Sequence, residues 1–444
     1  MSSSNSPANS PFRAISQGVV ANVLGMLATV VGGIIAARGL GSDGRGEAAA
    51  LISLPTFVAF VANLGLPTAL VYEARREPAR APALVAAAVA LATLAGIAAW
   101  IATWMLTPTL LHTQSTAIIA TARAFAVFVL TGLLSNAGMA ALQSAGEFRA
   151  ANAIRLAQPL VQVAGLVVLA LAGAMTPTAV ALLTFTSGAP GLAWNLAWIA
   201  RRYRPRAAEL PGAVVQLVNY GVRAAGGEFL TGMTGQIDKI IVVGIFSPSV
   251  LGLYVVAMSL SRVLAVIPTA VVPVLFPTTA GRSPGDVATL TSRAAAMTLV
   301  CVTAGAACVG VAGPWLLAAL YGRDFHAAGW GFRLLLLESA LSAVAQVLSQ
   351  AFMAMNRPGL YGVQQGLGVG VAVALLFACA PRYGLEGAAA ALLASSAVRL
   401  AAIYWCYAHV LRIGQPRLVA HLGPSVATLW RVASGLWPRP SLGR

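Results

Sequence analysis

The sequence predicts an all-α integral membrane protein of about twelve transmembrane helices, arranged as two six-helix lobes related by a pseudo-twofold axis along the membrane normal. Three observations carry that prediction. First, only 9% of the 444 residues are charged, 59% are hydrophobic, and the mean hydropathy is +0.82. A soluble domain carries about 25% charged residues, so this chain lacks the polar surface to cover a water-facing globule. That excludes a cytosolic enzyme, a secreted disulfide scaffold and a coiled coil. Second, the apolar residues fall into twelve runs long enough for a membrane-crossing helix, which needs about 20. Third, marks in the first half of the chain recur in the second at a nearly constant spacing.

Taken in order, residues 1–17 form a Ser/Pro-rich stretch that reads as a disordered cytoplasmic tail rather than a cleaved signal. The twelve apolar segments then cover residues 18–38, 48–72, 83–106, 116–142, 156–174, 179–200, 224–246, 250–277, 294–320, 331–355, 362–380 and 387–411. They are rich in Ala, Leu, Val and Gly and show no alternation with period two, so they read as helices and not as barrel strands. The longest polar connection, residues 201–223, falls between the sixth and seventh segments. Residues 412–444 hold Pro416, Pro424, Pro438 and Pro440 and no full span; an amphipathic interfacial helix is expected around Leu418–Trp437.

The net charge of +16 arises from 28 basic against 12 acidic residues, and Lys239 is the only lysine. In a soluble protein this excess would point to nucleic acid. Here it follows the membrane. Nineteen arginines, among them Arg75, Arg76, Arg80, Arg155, Arg201, Arg202 and Arg223, occupy one set of connections and tails, and five (Arg38, Arg45, Arg323, Arg333 and Arg382) the other. The positive-inside rule places the first set, and both termini, in the cytoplasm. Trp100, Trp104, Trp315 and Trp330 then collect at the outer ends of their segments, as interfacial anchors do.

The repeat divides the chain. Gly46 and Gly252, just before segments 2 and 8, are 206 positions apart, as are Pro67 and Pro273. Arg123 and Arg333 are 210 apart, as are the Ala-Leu-Leu runs at 181–183 and 391–393. Six is even, so both halves enter from the same side, which makes them parallel repeats. The expected organisation is an N-lobe at 18–206, a cytoplasmic linker at 207–223, a C-lobe at 224–411 and a cytoplasmic tail at 412–444.

Catalytic signatures are absent from the sequence. Gly39–Gly44 has the spacing of a dinucleotide-binding loop, but it follows a membrane span and not a strand. Cys301, Cys308, Cys379 and Cys406 lie in apolar runs with no metal-ligand spacing and read as buried free thiols. No enzyme, cofactor or metal site is expected.

The informative residues are charges within the segments: Arg123, Glu228, Asp238, Lys239, Arg262, Glu338 and Arg399. Each costs about 2.5–3.5 kcal/mol at a helix centre on insertion scales, so each must face a cavity, pair with another charge or snorkel. Segment 7 is the least apolar, with Gly226, Gly227, Gly232 and Gly235 ahead of the Asp238–Lys239 pair. Pro55 and Pro67 in segment 2, and Pro268 and Pro273 in segment 8, predict bends in corresponding helices, a pointer to a transporter's substrate path. Asn22, Asn63, Asn136 and Gln346 read singly as inter-helix hydrogen-bonding groups.

Several short motifs together resemble the Wzx-like polysaccharide flippases of the multidrug/oligosaccharidyl-lipid/polysaccharide (MOP) exporter superfamily. They are Ala37-Arg38-Gly39-Leu40-Gly41 through Gly46 with Asn63-Leu64-Gly65-Leu66; Leu142-Gln143 through Phe148; and Asp238 with Gly252-Leu253-Tyr254. Tyr321-Gly322-Arg323-Asp324-Phe325 and Gly384-Leu385-Glu386-Gly387 complete the set. The resemblance covers about residues 15–411. It implies a MATE-like fold that carries polyprenyl-diphosphate-linked oligosaccharide across the bacterial inner membrane for cell-surface polysaccharide or lipopolysaccharide biosynthesis, by alternating access. Arg262, Arg399, Lys239 and Arg123 would hold the diphosphate in the cavity. Asp238 and Glu228 would bind a coupling proton or sodium ion. The expected partners are the lipid-linked oligosaccharide, membrane lipids, and a polysaccharide polymerase or glycosyltransferases, with no nucleic acid and a monomeric protein. Lipid II flippases of the superfamily usually have two further C-terminal helices, which residues 412–444 do not supply. The alternative is a MATE-type small-molecule or drug antiporter.

Overall fold

The computed structural model describes residues 11–412 apart from 64, 204–208, 234 and 280–281, with scattered positions between 415 and 423; the side chains of 11–22, 223–228, 231, 276 and 277 lie outside the description. The expected interfacial helix of the tail therefore falls largely outside the described residues.

Every regular element among the described residues is helical. The first half holds α1 (Pro11–Ala62), α2 (Leu66–Arg76), α3 (Ala81–Leu110), α4 (Thr116–Phe125), α5 (Phe128–Ser144), α6 (Phe148–Leu171), α7 (Pro177–Thr186) and α8 (Ala189–Arg202). The second holds α9 (Leu210–Met233), α10 (Ile237–Ile245), α11 (Pro248–Ser261), α12 (Val266–Thr279), α13 (Pro284–Tyr321), α14 (Gly329–Leu348), α15 (Gln350–Ala354) and α16 (Pro358–Trp405). Local chemistry sets the starts. The side chains of Ser115, Thr176 and Ser283 accept backbone N–H bonds at the heads of α4, α7 and α13, and proline opens α7, α11, α13 and α16, where its missing N–H costs nothing.

Eight helical stretches are long and apolar enough to cross a membrane. Two of them, Val23–Arg76 and Pro358–Val410, have 54 and 53 residues. At 1.5 Å per residue such a rod would reach about 80 Å, far beyond the roughly 30 Å hydrocarbon core. Each instead turns back at a glycine inside its long helix, Gly41 (φ 67°, ψ −173°) in the first and Gly384 (φ 55°, ψ −134°) in the second. Positive φ there is open to glycine and strained for other residues. Gly387 consequently packs on the Cys379 carbonyl, eight residues back, so the chain reverses. The glycine run that mimicked a nucleotide loop thus makes the turn between segments 1 and 2.

Four of the other crossings are broken rods. Segment 4 is α4 and α5, segment 6 is α7 and α8, segment 7 is α9 and α10, and segment 8 is α11 and α12 joined by a 3-10 turn at Arg262–Ala265. The breaks are not where the prolines predicted them. Pro55 sits inside α1, whose one non-helical position is Gly41. Segment 2 breaks at Gly65 (φ 68°), which leaves Pro67 in the first turn of α2, and Pro268 likewise lies in the first turn of α12. A proline in a first turn removes no intrahelical bond, so it marks a restart and not a kink. Only Pro273 is helix-interior in segment 8.

The expected linker also differs: residues 210–223 are the first half of α9. Ala213, Leu217 and Tyr220 recur at helical spacing and pack on Leu70, Ala74 and Leu84 of α2 and α3. Tyr220 stacks on Tyr72 with centroids 4.5 Å apart, and the Gln216 amide donates to Glu73 at 2.6 Å. The cysteines are free as expected, but of the four only Cys406 is buried: Cys301 and Cys379 are half-buried and Cys308 is exposed. Trp100, Trp104, Trp315 and Trp330 are all exposed.

The two halves meet face to face on the side away from the arginine-rich connections. Gly46 abuts the Pro248 carbonyl, and Gly252 abuts the Ser42 carbonyl, so each contact is the other's repeat mate. The same holds nearby. Arg38 at the end of segment 1 donates to the carbonyls of Ala319 and Leu320 (2.7 Å to the latter), at the end of segment 9. Thr113, which is 206 positions before Ala319, donates to the Val243 carbonyl at the end of segment 7 at 3.3 Å. A self-complementary contact of this kind is what a pseudo-twofold axis imposes. Beneath it lies a continuous core from α1, α10, α11, α13, α14 and α16.

Candidate substrate cavity and ionic cluster

A cavity of about 1060 Å³ lies inside the N-lobe. Its walls come from the second half of α1 and from α5, α6, α7 and α8, and Gln236 closes it from the C-lobe side. Among the described residues the lining contains six amides (Asn63, Asn136, Gln143, Gln158, Asn195 and Gln236), several hydroxyls, one arginine (Arg155) and no carboxylate. A second groove of about 540 Å³ shares Pro67 and Gln143 with it and continues to Arg75, Arg76 and Tyr220 on the arginine-rich face. Arg75 is held there by the Gln143 carbonyl at 2.7 Å and by the Phe148 ring.

The predicted charges mostly assemble elsewhere. Asp238, at the head of α10, is 2% exposed and accepts the Tyr254 hydroxyl at 2.8 Å on the oxygen that faces Arg262 at 3.5 Å. Arg262 opens the 3-10 turn of segment 8 and keeps 38% of its side chain exposed. Glu338 on α14 accepts the Ser396 hydroxyl at 2.9 Å and lies close enough to Arg399, Arg262 and Asp238 to feel all three charges. Arg399 is buried and donates to Gln365 at 3.0 Å and to Ser342 at 2.7 Å. The C-lobe thus holds one connected ionic cluster, which balances charge internally as burial requires.

Lys239 stands between cluster and cavity. Its ammonium donates at 3.2 Å to Gln236, which is part of the cavity wall. The break between α9 and α10 lies just before this pair, and Phe60 stacks on Phe229 with centroids 6.0 Å apart on the same boundary. Arg123 joins neither the cluster nor the lining: its guanidinium lies 4.6 Å from the Trp104 ring centroid, as its repeat mate Arg333 lies 4.9 Å from that of Trp330. A cation on an indole face at an outer end is a stable resting place and needs no substrate. The Glu228 side chain lies outside the described residues. Sequence reasoning missed the amides as a set, because a neutral amide within a span is ordinary inter-helix hydrogen bonding until several are seen on one wall.

A family profile described as polysaccharide biosynthesis protein matches residues 35–329, about two-thirds of the chain. No curated protein matches. Among solved structures, a lipid II flippase MurJ in an inward closed conformation aligns with a TM-score of 0.75 at 11% identity, over 96% of this chain and 94% of that one. At that coverage, length does not set the two apart. An inward-facing multidrug resistance MATE family transporter of the MOP superfamily aligns with a TM-score of 0.69 at 15% identity, over 88% of this chain and 95% of that one. A MOP superfamily transporter from Pyrococcus furiosus aligns at 0.56 and 13% identity, over 91% and 97%. The two-lobed, all-helical fold is the one these structures share.

Proposed function

The chain belongs to the polysaccharide biosynthesis protein family, and on that premise we propose that it is a flippase. It carries a polyprenyl-diphosphate-linked oligosaccharide from the cytoplasmic to the outer leaflet of the bacterial inner membrane by alternating access. The observation that carries this reading is the N-lobe cavity, whose largely apolar wall carries six amides and, among the described residues, no carboxylate, and which is continued by an arginine-bearing groove on one face. With the arginine-rich face cytoplasmic, the contacts at Gly46 and Gly252 close the outer side while the cavity communicates with the inner one. A drug antiporter for cations would be expected to line its cavity with acids; among the described residues this lining has Arg155 as its one charge.

In this reading Arg75 and Arg76 meet the diphosphate at the mouth. Lys239, one hydrogen bond behind Gln236, and the half-exposed Arg262 meet it as the lobes turn. Arg399 and Arg123 act through structure, the first within the C-lobe cluster and the second on Trp104. Asp238 is the coupling site: a proton or sodium ion on its carboxylate cancels the charge that holds Arg262 and frees the arginine for phosphate.

The test is transport in proteoliposomes loaded with undecaprenyl-diphosphate-linked oligosaccharide. The wild-type protein should expose the glycan to an external glycosidase, and Arg262→Gln should not. Glycan exposure equal to that of empty vesicles, with cationic-dye export in its place, would assign the antiporter instead.

A further inference from the structure

We propose that the N-lobe cavity is a saccharide-reading site that takes a neutral, hydroxyl-rich glycan and is separate from the charged groups that meet the diphosphate. The inference rests on the flippase reading and names what selects the cargo.

Its chemistry is that of sugar recognition. A neutral saccharide presents hydroxyls that donate and accept together with C–H faces that stack on aromatic rings. The wall supplies both partners. The side-chain amides of Asn63, Asn136 and Gln158 make no hydrogen bond among the described residues and face the space. Asn195 is 1% exposed, lines the cavity, and has its side-chain carbonyl oxygen unpartnered. An orphaned buried acceptor is costly, and a ligand hydroxyl would satisfy it. Thr131 and Ser187 give their own protons to backbone carbonyls, so their oxygens remain as acceptors toward the cavity. Phe128 and Phe185 stack with centroids 4.9 Å apart and an interplanar angle of 6°, and Trp194 is 46% exposed on the same wall. The volume, about 1060 Å³, sits at the upper end of small-ligand pockets, about 300–1,000 Å³, and so accommodates more than one sugar ring. The charges argue the same way. Arg262 and Arg399 are engaged by Asp238, Gln365 and Ser342 outside this wall, and Lys239 stands behind it on Gln236, which leaves Arg155 as the one charged lining residue among those described. An acidic sugar would be desolvated there with a single counter-charge.

Trp194 is a built-in reporter. Purified full-length protein is titrated with maltotriose, chitotriose, trigalacturonate and inorganic pyrophosphate while tryptophan fluorescence is followed, with Trp194→Phe as the control. A neutral trisaccharide should quench the wild type and not Trp194→Phe; trigalacturonate and pyrophosphate should not compete with it. Asn136→Leu/Gln158→Leu removes two amides that support no other residue, and should weaken quenching by about tenfold or more. In proteoliposomes the same double variant should slow flipping of undecaprenyl-diphosphate-trisaccharide by about tenfold and leave bare undecaprenyl diphosphate unchanged. Quenching by none of the neutral trisaccharides, or equal losses for the glycosylated and bare carriers, overturns the saccharide site. If the wild type moves neither carrier yet saccharide quenching persists and depends on the amides, the site stands and the flippase reading falls.

Discussion

Asp238 is held by groups that reach it from two directions. Its Oδ2 takes the Tyr254 hydroxyl and the Arg262 guanidinium, while its Oδ1 is buried with no partner among the described residues. Such a carboxylate is under-compensated, and each neighbour matters. Tyr254→Phe removes one hydrogen bond to a charged acceptor and should lower stability by about 1.5–3 kcal/mol. Asp238→Leu also orphans the hydroxyl and the guanidinium, so its melting temperature in detergent should fall below that of Tyr254→Phe. The cost should stay under the about 3–5 kcal/mol of a fully buried broken pair, because Arg262 retains 38% exposure. The reverse order of melting temperatures would mean that Arg262 is held elsewhere. At this scale the sequence was readable wherever a charge sat in an apolar run, since a bilayer makes every such charge conspicuous. The destinations were not readable. Arg123 meets Trp104 from a different segment, and Arg399 meets Gln365 and Ser342 from two others; those meetings are set by packing, not spacing.

Among the elements, glycine proved a better guide than proline. Gly41, Gly65 and Gly384 take positive φ at three chain breaks, while Pro67 and Pro268 stand in first turns where the helix tolerates them. Gly65→Ala should therefore cost about 1–2 kcal/mol from left-handed strain alone, whereas Pro67→Ala should change stability by less than about 1 kcal/mol. Thermal unfolding of the two variants measures the contrast, and a larger loss at Pro67 would return the bend to the proline. The twelve segments themselves were legible because length and hydropathy are local properties. The first half of α9 was missed because its apolar face is short and is completed only by Leu70, Ala74 and Leu84 of the other lobe. The cavity wall was missed for a related reason: its amides are spread over α5, α6, α8 and the breaks at Asn63 and Gln236, and no single helix displays enough of them to stand out.

For the whole molecule, the repeat that was visible as spacing becomes a contact. Gly46 and Gly252 are each other's neighbours, and a side chain at either would fill the space now occupied by the partner lobe's backbone. Gly46→Leu should force the halves apart on that face. In a background without the four native cysteines, Thr113→Cys should then react faster with a membrane-impermeant maleimide added from outside than it does with Gly46 in place. Equal labelling rates would show that the glycine crossing does not hold the outer side shut.

The same surface has a consequence for inheritance. Its acceptors are the main-chain oxygens of Ser42, Val243, Pro248, Ala319 and Leu320, atoms that every residue possesses and no point mutation deletes. Half of each contact is therefore insulated from drift, and what lineages must keep is the path of the chain and a few positions without bulk. A fold retained at a TM-score of 0.75 with 11% of residues in common is the pattern expected when closure is written in backbone shape rather than in side-chain identity.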